Sequence, residues 1–217
     1  YTRWDYNDRT QMYIQGVFQM QPDGTNQTEV FGNDSCFPTT LLHTREIPGE
    51  PSKYISIASG HHTLQAGKLV ILDTSVGRND PDAVSFPFPD SQSNKLDHVD
   101  GYGQSGPLYK YPVAINDHEF LVSYSRTGWD AASQRDTPFS ICYMNAQTGV
   151  IEPLSEATEV LDAVVGASQI VPVKTRTLTE RPSSVNQAVD TGVFYLGNVY
   201  EGEGMEGVAP GEAKYLR

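Results

Sequence analysis

The chain has 217 residues and a formal net charge of −12 at pH 7. Its 15 Lys and Arg are scattered rather than clustered, which argues against a nucleic-acid partner, because phosphate binding needs converging cations. No apolar run approaches the roughly 20 residues a membrane-spanning helix requires, which argues against such a span.

The length suits one large all-β domain or two small ones. With 19 Gly, 14 Pro, 12 Tyr and 8 Phe, the composition favours strands joined by many turns. The acidity reports solubility and also favours cationic ligands. No secretory leader is evident, and the start at Tyr1 reads as a processed or excised chain. Two cysteines occur, Cys36 in a polar loop and Cys142 in an apolar strand, and their spacing leaves pairing open. No Cys-x-x-Cys is present, so the residues hold no zinc ribbon, no redox dithiol and no covalent haem attachment.

In chain order, residues 12–20 form a long β-prone run. Pro22-Asp23-Gly24 supplies a turn: Pro presets φ, Asp bonds the local backbone, and Gly permits positive φ. Residues 27–31 are the returning strand, and 33–38 a loop. Residues 39–90 read as a four-stranded unit. Its strands are 39–45, 53–58, 68–73 and 83–88. The third is almost wholly apolar, as expected of a strand buried on both faces. After a loop over 91–106, residues 108–155 repeat the plan, with strands at 108–114, 120–125, 139–145 and 150–154 and a polar insertion at 126–138. Residues 156–165 suit a short helix or a strand equally, and 192–200 is a last β-rich piece.

A strand–turn–strand motif therefore recurs, at residues 18–26, 69–77 and 141–149. Recurring hairpins of this kind predict an all-β, β-propeller-like fold of antiparallel four-stranded blades. The blade-like units fall at about 1–38 (partial), 39–106 and 107–155, with 156–217 as remainder, in a single domain. A closed propeller has about 4–8 blades, so the chain is expected to be part of a longer propeller protein or else an unusual compact β assembly.

Several residues are candidates for chemistry. His61-His62 stands after Ser59-Gly60. Imidazoles suit Zn, Cu, Fe or Ni, and a turn there lets both rings converge. Asp97-His98-Val99-Asp100 places two carboxylates beside an imidazole, and Asp97, His98 and Asp100 are candidates for holding a cation such as Ca²⁺ through the carboxylate oxygens. Tyr102 and Trp129, in polar loops, are candidates for stacking on a sugar or peptide. Asp117-His118-Glu119 reads as a hairpin turn. No Gly-x-Ser-x-Gly elbow or Gly-rich phosphate loop occurs, and no catalytic residue is assigned.

Three blocks resemble one family. The first joins Arg3-Trp4-Asp5-Tyr6-Asn7-Asp8-Arg9, Met20-Gln21-Pro22-Asp23-Gly24-Thr25-Asn26 and Phe31-Gly32-Asn33-Asp34-Ser35. The second is His61-His62 followed by Gly67-Lys68-Leu69-Val70-Ile71-Leu72-Asp73. The third is Asn198-Val199-Tyr200-Glu201-Gly202 with Lys214-Tyr215-Leu216-Arg217. Together they resemble the middle region of the hydrazine synthase alpha subunit and the bacterial exported proteins that share it.

The resemblance implies a propeller-like scaffold or interaction module in a periplasmic or extracellular protein, with a lipid anchor through a preceding segment as one route of attachment. Its partners would be other domains of the parent chain or other subunits. Two alternatives stay open. One is part of a c-type-haem redox enzyme, an oxidoreductase whose haem motif lies outside this chain. The other is a glycan- or peptide-binding module.

Overall fold

β-Branched and aromatic residues alternating with polar ones make strand the local preference through most of the chain. The computed structural model describes residues 1–4, 14–35, 37–61, 63–89, 102–128, 138–154, 188–192, 196–202 and 204–214. The chain divides into two units, Tyr1–Pro182 and Ser183–Arg217. The described strands all lie in the first: β1 (Thr2–Trp4), β2 (Gln15–Gln19), β3 (Thr28–Phe31), β4 (Thr40–Ile47), β5 (Glu50–Ser59), β6 (Lys68–Asp73), β7 (Val84–Ser85), β8 (Leu108–Ala114), β9 (Glu119–Ser125), β10 (Ser140–Asn145) and β11 (Val150–Pro153).

They form two sheets. The first runs β1-β2-β4-β5-β6-β7, with β3 paired to β2, and the second runs β11-β10-β9-β8. Pairing is antiparallel except for a parallel contact of Gln15 with Thr40 between β2 and β4. Strands β4–β7 and β8–β11 are each an up-and-down meander. The architecture is all-β and antiparallel, and the described strands of neither sheet close into a ring.

The turn after the third strand of each meander uses the same chemistry. Asp73 Oδ1 accepts from the Ser75 amide at 3.0 Å, and Asn145 Oδ1 accepts from the Gln147 and Thr148 amides at 3.0 Å. An Asx side chain thus completes the turn that the backbone alone leaves open.

Register decides what each face buries. Ile55, Ile57 and Leu69 lie on one face and pack against Tyr109, Phe120, Val122, Cys142 and Met144 of the second sheet. Ala58, Val70 and Leu72 lie on the other and pack with Val17, Val30, Phe31 and Leu41. Strands β5 and β6 are therefore covered on both sides, which explains the continuous apolar run of β6. Gly67 and Tyr109 exchange two backbone hydrogen bonds, at 3.1 and 2.9 Å, and so join the sheets at one edge. A buried lysine, Lys68, holds the loop that enters the second sheet, donating from Nζ to the Ser105 and Pro107 carbonyls at 2.6 Å each.

Two expectations are corrected. The outer strand expected at 83–88 is reduced to Val84–Ser85. A 3-10 turn over Pro81–Ala83 precedes it, and Pro87 and Pro89, which lack the N–H a ladder needs, follow it. The β-rich piece expected at 192–200 shows turns at its described residues 196–200, where Asn198 Oδ1 accepts from the Tyr200 amide at 3.0 Å. In the second unit the Met205, Val208 and Glu212 amides donate to the Gly202, Met205 and Ala209 carbonyls, and Tyr200 Oη accepts from the Gly211 amide. The 156–165 segment and Cys36 lie outside the described residues; Cys142 is a buried free thiol. No helix among the described residues is long and apolar enough to cross a membrane.

Gly67 tests the packing of this edge. A Cβ there would stand 2.1 Å from the Ala58 carbonyl oxygen, which is backbone and cannot swing away. Gly67→Ala is expected to lower the free energy of unfolding by about 2 kcal/mol or more in urea titrations. Gly197→Ala, with open space around the added methyl, should leave it unchanged.

Candidate functional site

A row of side chains crosses four strands at one end of the first sheet. Trp4 of β1 stands opposite Gln15 of β2, Gln15 opposite Thr40 of β4, and Thr40 opposite Ser59 of β5. Residues paired in this way present their side chains on one face. The row carries no formal charge. It runs from solvent inwards: Trp4 is 53% exposed, Gln15 half-buried, and Thr40 and Ser59 buried.

The inner end is a hydrogen-bonded cluster. Ser59 Oγ donates to the Ala66 carbonyl at 2.9 Å, meets Thr63 Oγ1 at 2.7 Å, and accepts from Gln104 Nε2 at 3.3 Å. Gln104 Nε2 also reaches the Ala66 carbonyl at 2.8 Å. Two polar atoms in this corner, Thr40 Oγ1 and Gln104 Oε1, are buried without a hydrogen-bond partner. An orphaned buried oxygen costs about 1–3 kcal/mol, which a water or a ligand group can offset.

His61 follows β5 and joins the row from the side. Its Nδ1 lies 3.1 Å from Gln15 Nε2, and its ring centroid 5.2 Å from that of Trp4, tilted by 57°. With the amide nitrogen donating, Nδ1 accepts and the ring proton sits on Nε2. Tyr102 is tied to the same corner, since its carbonyl accepts from the Gly60 amide at 3.1 Å. Its side chain points elsewhere. The sequence placed it in a polar loop, but the ring is 4% exposed and edge-on to Phe37 at 5.1 Å. The loop that carries it is drawn inward by Lys68 and Gln104. Burial pushes the Tyr102 phenol well above its usual pKa, and its hydroxyl has no partner.

His62, Asp97, His98, Asp100 and Trp129 lie outside the described residues. Among the described residues, no three metal-binding side chains converge. Asp117 and His118 lie in the β8–β9 connection and Glu119 opens β9; Asn116 Oδ1 accepts from the His118 and Glu119 amides at 3.0 and 2.8 Å. The Glu119 carboxylate accepts from Tyr143 Oη and is held below the usual carboxylate range by that bond first and by Asn116 second.

Sequence reasoning missed a second feature. Strands β4 and β8, each the first of its meander, both break register, between Leu42 and Arg45 and between Lys110 and Val113. At each break a bulky residue adopts positive φ, His43 at 54° and Tyr111 at 47°. Their rings meet with centroids 3.9 Å apart and planes tilted by 33°, and the Tyr111 amide donates to His43 Nδ1 at 3.3 Å. Pro112 was the available signal: it removes a ladder donor and steers the residue before it out of the right-handed helical region. Nothing local marks His43. Burial first, then the nearby charges of Lys110 and Arg45, bring its pKa down to about 4. Next to Thr44 and Arg45 opens a cleft of about 650 Å³, with Val17, Phe18, Val30 and Tyr54 on its apolar walls.

These features define an all-β protein of stacked antiparallel meanders, braced where the first strands of neighbouring meanders meet. No protein-family model matches the chain. No curated protein sequence matches it. Among solved structures, a hydrazine synthase of Kuenenia stuttgartiensis is similar, at 16% identity and a TM-score of 0.51, over 73% of this chain and 18% of that one. The likeness is one of fold and supports the structural relationship to hydrazine synthase expected from the three sequence blocks. The chain spans less than a fifth of the length of that protein's chain.

The His43 clasp has a pH signature. The imidazole stays neutral in the fold down to about pH 4, yet binds a proton near 6.5 once unfolded. Above pH 6.5 its contribution to stability is complete. As pH falls from 6.5 towards 4 the unfolded chain takes up the proton first, so stability drops. His43→Gln is expected to flatten this slope relative to the parent when Tm is followed across that interval; an unchanged slope would rule out a buried neutral imidazole.

Proposed function

We propose that the chain is a non-catalytic scaffold or interaction module of an exported bacterial protein related to the hydrazine synthase alpha subunit. The observation that carries this reading is an asymmetry between the sheets. Strands β5 and β6 of the first sheet are covered on both faces. On the second sheet, register places Leu121, Ile141, Tyr143 and Val150 together on the face away from the first. Leu121, Ile141 and Tyr143 are half-buried, and Val150 is 45% exposed. A stacked-sheet protein extends by laying its next sheet on such a face. The partner would be a further domain of the parent chain or another subunit.

A second reading draws on the fold likeness to a hydrazine synthase. In it the module shapes part of a periplasmic c-type-haem oxidoreductase. The sequence lacks Cys-x-x-Cys-His, so the haem would be attached elsewhere in the parent.

Two measurements on the full-length parent separate these readings. The scaffold reading expects the amides of Val150, Ile151 and Glu152 to exchange at least about tenfold more slowly in the parent than in the 217-residue chain, and Ile141→Asp to abolish the difference. Equal exchange in both would sink it. A Soret band in the parent's visible spectrum would move the assignment to redox chemistry.

A further inference from the structure

We infer that the row headed by Trp4 is a binding site for a neutral sugar, stacked on the indole and hydrogen-bonded by Gln15 and His61. The inference goes beyond the scaffold reading and does not rest on it, because it concerns the opposite end of the molecule's chemistry: a surface of β1, β2 and β4, not the outer face of β8–β11.

The first support is the indole itself. Trp4 is 53% exposed at the end of a strand, although a ring of this size usually buries most of its area. A pyranose offers what such a ring can hold: one face of C–H bonds for the aromatic surface and a rim of hydroxyls. The second support is the set of groups beside it. Gln15 is the direct cross-strand neighbour of Trp4, and His61 lies against both, 3.1 Å from the Gln15 amide and 5.2 Å from the indole centroid. An amide and an imidazole donate and accept, which suits hydroxyls that do both.

The third support is the next residue in the row. Thr40 is 2% exposed and its hydroxyl has no partner. Its desolvation is already complete, and because the oxygen is closed to solvent a sugar hydroxyl reaches it through a bridging water.

Charge narrows the ligand. Trp4, Gln15, Thr40 and Ser59 carry none, and the neighbouring Arg3 places its guanidinium over the Phe18 ring at 5.1 Å. A chain of net charge −12 repels acidic polysaccharides. The geometry therefore selects uncharged oligosaccharides.

The test uses the chain with Trp129→Phe, which leaves Trp4 as its sole tryptophan. Cellopentaose, chitopentaose and, as an anionic control, pentagalacturonate are titrated while Trp4 emission is followed. The expected result is a saturable shift with at least one neutral oligosaccharide and none with the anionic one. In calorimetry Trp4→Ala is expected to weaken binding at least about tenfold, and Trp4→Tyr to retain part of it. Gln15→Ala and His61→Ala, read by fluorescence, should each weaken it several-fold, and they keep the test intact if Trp4→Ala fails to fold by circular dichroism. No saturable shift with either neutral sugar at millimolar concentration overturns the proposal, as does a preference for the anionic sugar. Binding that survives every one of these substitutions also overturns it.

Discussion

The second half of β5, residues 55–59, and β6 are buried between two cores, and most of the structure follows from that constraint. Their side chains alternate between two cores, one built with β2, β3 and β4 and the other with the second sheet. Period-two geometry makes this an all-or-nothing arrangement, since a slip of one residue would exchange the contents of both cores. The exchange would carry Ile55, Ile57 and Leu69 out of the tightly filled space against Phe120 and Met144. Register is thereby locked in the first meander, and the second is positioned by the surface the first presents to it.

Such double burial leaves little freedom where the sheets meet, and polar groups there are used as fasteners. The Gly67–Tyr109 bridge brings two backbones within hydrogen-bonding distance, and a side chain at position 67 would strike the Ala58 carbonyl oxygen of β5. Lys68 reaches from a buried strand to two carbonyls of the incoming loop, so a charged group sits deep without being unpaired. The paired bulges of β4 and β8 act on the other side of the sheets. They interrupt both ladders at one level and turn His43 and Tyr111 onto each other, so the backbone strain of two positive-φ residues is spent at a contact between meanders.

The same packing explains why the polar row lies at a strand end. Along the middle of β5 and β6 the side chains face a core on either side. At the entry to β2 and β4 and the exit of β5, the cores run out, and uncharged polar side chains take over. Gln15, Thr40, Ser59 and Gln104 meet there because four strands terminate together, with the row opening to solvent at Trp4. The fold likeness to a hydrazine synthase concerns the scaffold; this corner is a property of the side chains that the present chain places upon it.

By itself the sequence determined the fold class and most strand positions. Local signals suffice for these: Asp73 and Asn145 end their strands with turn chemistry, and the apolar run of β6 announces burial on both faces. It also held the blocks that pointed to the hydrazine synthase relationship. Tertiary structure alone decided which residues share a site. The alignment of Trp4 with Gln15, Thr40 and Ser59 is a matter of register between strands far apart in the chain, and no local pattern encodes it. The burial of Tyr102 depends on a lysine more than thirty positions earlier, and the contact of the His43 and Tyr111 rings on two separate breaks in register. Local propensity reads one strand at a time, whereas a site at the end of a sheet is made where several strands stop together.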